Sequence, residues 1–224
     1  MSEQPSQNKP VPELSADLFL RTALRLAEQS GGAQKLSLRN LGKALNVDPT
    51  AVYRYFPSKA ALVDAMMKRL GYDFLPDEAE MQGDWRVRLT ALARRAYTVF
   101  STYPSLSIHL PSSPYIRTEI SDQLTELAYE ALKEAGLHDE HVVVFHEVLY
   151  TLALGIGQVD AQFDEDLENE KRMMREHIAT ISPETFPNVH RMAPLMVVQS
   201  EAVFQLTLEM YLNAVESYAS GSTG

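Results

Sequence analysis

Apolar residues recur at intervals of three and four along most of this chain, and no segment alternates apolar and polar positions as a strand would. The first amphipathic segment covers 15–32, where Leu18, Ala23, Leu26 and Ala27 make one stripe and Gly31 and Gly32 stop it. Three short elements follow up to Phe56, and a further helix is expected over 59–70. The stretch 71–83 is polar and acidic and marks a boundary. Beyond it the pattern predicts helices over 84–101, 114–135 and 141–162, with a short element at 104–111. A very polar helix over 164–180 and a loop over 182–194, carrying Pro183, Pro187 and Pro194, lead to a last helix over 200–219. The reading is all-α: a flexible tail at 1–14, a three-helix unit at 15–72 and a larger helical domain at 73–224.

The most informative segment is 36–56. Ser37 can cap a helix whose inner face is Leu38, Leu41 and Leu45, and Gly42 beside that stripe leaves room for a second helix to come close. Asn46 stands where this helix must end, and asparagine tolerates the left-handed backbone of a tight turn. Val47 can plug the turn, after which Asp48 and Pro49 restart helix as a capping acid followed by proline at the first position. Val52 and Phe56, four apart, point inward, and Pro57 and Ser58 close the element and cap the next. This is helix, three-residue turn, helix. The second helix is only about 10 Å long at its two turns, and it leaves Thr50, Ala51, Tyr53, Arg54 and Tyr55 facing outward. Such side chains suit phosphates and base edges in a major groove about 12 Å wide.

Charge sharpens this reading. The 224 residues carry a formal net charge of −10, which taken whole argues against a nucleic-acid binder. Divided at residue 72 the charges separate: 1–72 holds 10 Lys and Arg against 6 Asp and Glu, a net of +4, and 73–224 holds 10 against 24, a net of −14. The basic part can face phosphates while the acidic part stays off them. With 45% hydrophobic residues the chain can bury a core without staples, and the absence of cysteine fits a reducing compartment. The first ten residues hold no apolar run of a secretory signal, and the apolar stretches at 142–145 and 148–157 read as too short for a bilayer. A cytoplasmic protein with no membrane partner is expected.

The run Leu-x-x-Leu-Gly-x-x-Leu-Asn-Val-Asp-Pro-x-x-Val-Tyr-Arg-Tyr-Phe-Pro-Ser-Lys-x-x-Leu, residues 38–62, resembles the DNA-binding region of the TetR family of bacterial regulators. The resemblance covers about 15–70; the remainder is similar only in helical layout. Two positions depart from the pattern, Asn46 for the usual glycine of the turn and Gly42 for the usual alanine, and each meets the same steric need. The resemblance implies that Tyr53, Tyr55 and Lys59 contact phosphates and that Thr50 and Ala51 reach bases, Ala51 against a thymine methyl. Ser37 and Arg39 would touch phosphate or a base edge, and Arg54 either guanine or phosphate. It also implies a homodimeric repressor, released from a palindromic double-stranded operator by a small-molecule effector held in the second domain.

The second domain agrees with that layout. In the last helix Phe204, Leu208, Tyr211, Val215 and Tyr218 form one stripe and Val203, Leu206 and Met210 an adjacent one. So wide an apolar arc needs cover on two sides, which makes Val203, Phe204, Leu208, Tyr211 and Val215 the candidate dimer interface. The helix over 141–162 is apolar nearly all round, yet holds His146, Glu147, Tyr150 and Gln158, polar groups that need partners. Together with Tyr97, Phe100, Leu106 and His109 they are the candidate pocket, suited to a largely apolar or aromatic ligand. A regulator answering to a protein partner is the alternative. A metal-dependent enzyme is a remote one: His146 and Glu147 begin a zinc-hydrolase motif whose second histidine position is Tyr150. No phosphate-binding glycine loop, nucleophile elbow or cysteine nucleophile accompanies it, so no catalytic residue, metal or cofactor is expected.

Overall fold

A computed structural model describes residues 14–107, 119–163, 167–193 and 200–221. These residues form eleven α-helices, two short 3-10 turns and no strand. The chain divides into two compact units, 1–66 and 67–224, and the division falls inside the fourth helix.

The first unit holds α1 (Ala16–Gln29), α2 (Leu38–Ala44), α3 (Pro49–Tyr55) and the start of α4 (Lys59–Asp73). Ser15 caps α1 by accepting from the Leu18 N–H at 3.2 Å. At the other end Gly31 takes φ 77°, and the Gly32 N–H turns back to the Ala27 carbonyl at 2.8 Å. The same closure ends α2, with asparagine in the glycine role. Asn46 has φ 54°, its N–H donates to Lys43 O at 3.1 Å, and the Val47 N–H donates to Gly42 O at 2.9 Å. Ser37 caps α2 through Asn40 N, and Asp48 caps α3 through Thr50 N, with Pro49 at the first position. Phe19, Ala23, Leu41, Val52 and Leu62 are completely buried in the core that these helices share.

In the second unit α5 (Trp85–Thr102), α7 (Glu119–Glu134), α8 (Asp139–Phe163) and α11 (Ser200–Gly221) pack around one core. Asp84 caps α5 through Val87 N at 3.1 Å. Helix α8 buries Val142, Phe145, Leu149 and Ala153 at spacings of three and four, and the Tyr211 hydroxyl of α11 donates to Phe145 O at 3.0 Å inside the core. The most extensive contact joins α5 to α8. At Gly157 the two helices come close: an added Cβ would lie 2.7 Å from Phe100 Cβ and 3.1 Å from the Ser101 nitrogen.

Several expectations change. Helix α4 runs to Asp73, past the end expected at residue 70: Gly71 costs a helix only about 1 kcal/mol, and Arg69 pairs with Asp73 one turn on. The expected loop at 182–194 contains helix α10 (Pro187–Met192), because proline at a first helical position starts a helix as readily as it breaks one. Over Asp139–Ala161, 23 residues, α8 is long and apolar enough to cross a membrane by length and composition, which corrects the view that its apolar stretches are too short. Its buried face nonetheless belongs to the core of the unit. Short helix α6 (Pro104–Ser107) stands in the region expected at 104–111, and α9 (Leu167–Ala179) in that expected at 164–180. The remainder of the element at 104–111, the start of the helix expected at 114–135 and the tail up to residue 13 lie outside the described residues.

Two glycine replacements test the packing. Gly157→Ala should destabilise by about 1–3 kcal/mol, since two backbones must separate to admit the methyl group. Gly71→Ala, whose Cβ would meet only Ile120 methyl groups at 3.5 Å, should instead stabilise by about 0.5–1 kcal/mol in urea unfolding.

Candidate functional site

Helix α3 buries Val52 completely and leaves Thr50, Tyr53, Arg54 and Tyr55 exposed, with Ala51 half-buried. Tyr53 (53% exposed), Arg54 and, on α2, Arg39 make no hydrogen bond or ion pair among the described residues. Arg54 also sits in the last turn of α3, where a cation is favoured by the helix dipole. The other predicted contacts have work inside the unit. The Thr50 hydroxyl donates to Asp48 Oδ1 at 2.6 Å, and Thr50 N donates to the same oxygen at 2.8 Å. The two bonds hold the Asp48 carboxyl below its usual range, the hydroxyl contributing most. Thr50 thus leaves its methyl group and an oxygen lone pair unused. Ser37 accepts from Asn40 N at 3.1 Å as a cap, and the exposed Lys59 ammonium donates to Gln34 O at 2.6 Å with two N–H groups to spare.

Tyr55 departs most from its expected outward pose. Its hydroxyl donates to Leu14 O at 2.9 Å, and its ring lies 4.9 Å from Phe19 and 6.5 Å from Phe56. It fastens the start of α1 to α3 while one edge remains exposed.

The second unit contains a cavity of about 420 Å³. Leu92 and Ala96 of α5, Leu124 and Ala128 of α7, Leu149 of α8 and Phe74 give it apolar walls. Ser121, Asp122 and Thr125 of α7 and His146, Glu147 and Tyr150 of α8 are its polar groups. Burial, and secondarily the Glu147 carboxylate, pushes the Tyr150 hydroxyl upward, so it stays protonated and can donate. His146 packs edge-on against Tyr129 at 5.3 Å. Its Nδ1 is buried without a hydrogen-bond partner, 3.5 Å from Glu147 Oε1.

Of the expected pocket residues, His146, Glu147 and Tyr150 line this cavity. Tyr97 does not: it is buried in the core, stacked on Phe204 at 4.4 Å, with its hydroxyl donating to Asp160 at 2.5 Å. Phe100 is fully buried behind the wall, edge-on to Tyr150 at 5.3 Å and to Phe74 at 5.2 Å. Leu106 is buried away from the lining, and Gln158 donates to Pro104 O at 3.0 Å, fixing α6 to α8. His109 lies outside the described residues. The α7 residues Ser121, Asp122 and Thr125 were missed, and the spacing of about one turn from Ser121 to Thr125 was the available signal.

The expected dimer face is corrected too. Phe204, Leu208, Tyr211 and Val215 are buried by their own chain at 6% exposure or less, whereas Val203 is 51% exposed. Leu206 and Met210, at 60% and 64%, continue the uncovered stripe, and Val143, Val144 and Val148 are exposed on the neighbouring α8. Of the two apolar stripes of α11, one is thus covered by its own chain and the other is left exposed.

The fold and these sites define a helix-turn-helix protein with a second, cavity-bearing all-α unit. Residues 19–66 match the family profile described as bacterial regulatory proteins, tetR family. Residues 75–218 match that of the tetracyclin repressor-like C-terminal domain. The chain belongs to the TetR family of bacterial regulatory proteins. It is 28% identical over 134 residues to the HTH-type transcriptional repressor DrrR1 of Streptomyces coeruleorubidus, which is 60% of this chain and 49% of that protein. The chain thus matches about half the length of this curated relative. Its fold is similar to that of the transcriptional regulator SCO7222, a TetR from Streptomyces coelicolor, with a TM-score of 0.70 at 17% identity over 92% of this chain and 100% of that one. ActR of Streptomyces coelicolor in complex with actinorhodin gives 0.66 at 19% identity, over 92% and 99% of the two chains.

The two tyrosines of α3 should separate in a stability measurement. Tyr55→Ala should cost about 1–2 kcal/mol in chemical unfolding through loss of the Phe19 and Phe56 contacts. Tyr53→Ala should stay within about 0.5 kcal/mol of the parent.

Proposed function

We propose that this protein is a cytoplasmic, non-enzymatic transcriptional repressor that holds operator DNA through α2 and α3 and is released by a small molecule in the cavity of its second unit. The observation that carries the reading is the unpartnered, exposed set Arg39, Tyr53 and Arg54 on a helix-turn-helix within a part of the chain whose net charge is +4. Side chains of this kind position a protein on phosphates and read base edges. In this reading Tyr53, Tyr55 and Lys59 hold phosphates, Ser37, Arg39 and Arg54 hold phosphate or base edges, and Thr50 and Ala51 read bases. Residues 15–72 act as the DNA-binding domain and 73–224 as the effector and dimerisation domain.

The exposed stripe Val203, Leu206 and Met210, beside Val143, Val144 and Val148, supports a two-fold homodimer. Two recognition helices then meet a palindrome with half-sites about 34 Å apart, or a small multiple of that. The cavity favours a small-molecule effector over a protein partner, and the similar ActR, whose crystal structure holds actinorhodin, is consistent with that. Release works by population shift through α4, whose residues belong to both units. An effector that weakens operator binding tenfold must itself bind tenfold more weakly to the operator complex, a coupling of about 1.4 kcal/mol.

Binding to operator DNA selected from random sequence tests the reading, measured by fluorescence anisotropy across a salt series. Lys59→Ala should weaken binding on all sequences alike and lower the slope of log affinity against log salt by about 0.9. Thr50 and Ala51 substitutions should change the preferred bases instead. An unaltered salt slope in Lys59→Ala and unaltered affinity in Tyr53→Ala would refute the assignment. For the dimer, Leu206→Arg with Met210→Arg should give folded monomers in sedimentation and weaken operator binding. Leu208→Arg, aimed at the buried stripe, should unfold the second unit.

A further inference from the structure

Helix α5 carries four arginines, and each is committed to a carboxylate. Arg86 pairs with Glu216 at 3.0 Å, Arg88 with Glu134, Arg94 with Glu201 at 3.2 Å, and Arg95 with Asp77 and Glu80 at 2.8 and 2.5 Å. The α5 residues that reach the cavity are Leu92 and Ala96, one turn apart on another face. No lysine or arginine occurs among the described residues of the lining. Two carboxylates do, Asp122 from α7 and Glu147 from α8, and neither pairs with a lysine or arginine among the described residues. The arginines of α5 thus answer acids at Asp77, Glu80, Glu134, Glu201 and Glu216, while among the described residues Asp122 and Glu147 have no such cation.

We infer that the cavity takes cationic, largely apolar aromatic molecules and rejects anions, with Asp122 and Glu147 as the counter-charges. This rests on the reading of the cavity as the effector site. Apolar walls require an apolar body, since charged or strongly polar surface placed against Leu92, Ala96 and Leu149 would lose its water without replacement. An anion would further meet two negative side chains within 73–224, a part of the chain with a net charge of −14. A cation meets the opposite field, and the protonated Tyr150 hydroxyl remains to hydrogen-bond the ligand's polar atoms. Both carboxylates are solvent-exposed, so each contributes about two- to fivefold in affinity, and salt weakens the effect.

The test uses the full chain without DNA and three fluorescent probes. Ethidium is a planar aromatic monocation, phenylnaphthylamine is neutral, and anilinonaphthalene sulfonate is its anionic counterpart. Ethidium should bind most tightly and the sulfonate least. The double substitution Asp122→Asn, Glu147→Gln should weaken ethidium about tenfold and leave phenylnaphthylamine within about twofold. Thr125→Trp, matched to the parent in helical content, should weaken all bound probes by filling the cavity. Sulfonate binding as tight as ethidium, or ethidium binding indifferent to the double substitution, overturns the charge selection. If phenylnaphthylamine then still binds and Thr125→Trp blocks it, the effector reading of the cavity survives. If no probe binds, or Thr125→Trp changes nothing, that reading falls and the charge selection with it.

Discussion

Helix α8 is apolar around more of its circumference than its neighbours in the chain can cover. One face, Val142, Phe145, Leu149 and Ala153, is sealed into the core with α5, α7 and α11. Gly157 lets the α5 backbone come into direct contact, which fixes where the two helices cross. The flank that carries His146, Glu147 and Tyr150 opens onto the cavity, and Val143, Val144 and Val148 stay exposed. A single helix thus contributes to the core, the cavity and an uncovered apolar surface. Its 3.6-residue period directs different residues to each.

The first unit depends on backbone geometry in a different way. Two helix ends, after α1 and after α2, close by the same pair of hydrogen bonds around a left-handed residue, Gly31 in one and Asn46 in the other. The second closure aims α3. Since α3 has only seven residues and one fully buried position, Val52, it leaves Tyr53 and Arg54 exposed and without a hydrogen bond among the described residues. Tyr55 has a double part, since its ring completes the cluster with Phe19 and Phe56 while one edge stays exposed.

Electrostatics divides the work between the two parts of the chain. Positive charge is concentrated where phosphate contact is proposed, and a large negative excess lies beyond residue 72. Within that excess the arginines of α5 pair with acids such as Glu80, Glu134 and Glu201, and Glu80 and Glu201 lie below the usual carboxylate range. For Glu80 the largest cause is the hydrogen bond from Arg95; for Glu201 it is the Gln205 amide, followed by Arg94. These contacts also tie α5 to α7 and α11, so the same pairs that consume the cations help fix the walls of the cavity.

The sequence by itself determined the helix-turn-helix, since every signal there acts over a few residues: the Ser37 and Asp48 caps, the left-handed Asn46, Pro49 at a first helical position, and Val52 and Phe56 turned inward. It also determined the all-α class, because periodicity is local. Which stripe of α11 is covered by its own chain was decided only by tertiary structure. Val203 and Phe204 are adjacent and both apolar, and only the position of α5 and α8 makes one exposed and the other buried. The cavity was likewise half legible. His146, Glu147 and Tyr150 announced themselves as polar groups in an apolar helix, but Gln158 carried the same signal and finds the Pro104 carbonyl, and Tyr97, expected as an aromatic wall, finds Asp160. Partners 54 and 63 positions away in sequence decide whether a polar side chain is satisfied within the fold or left for a ligand, and local pattern does not encode them.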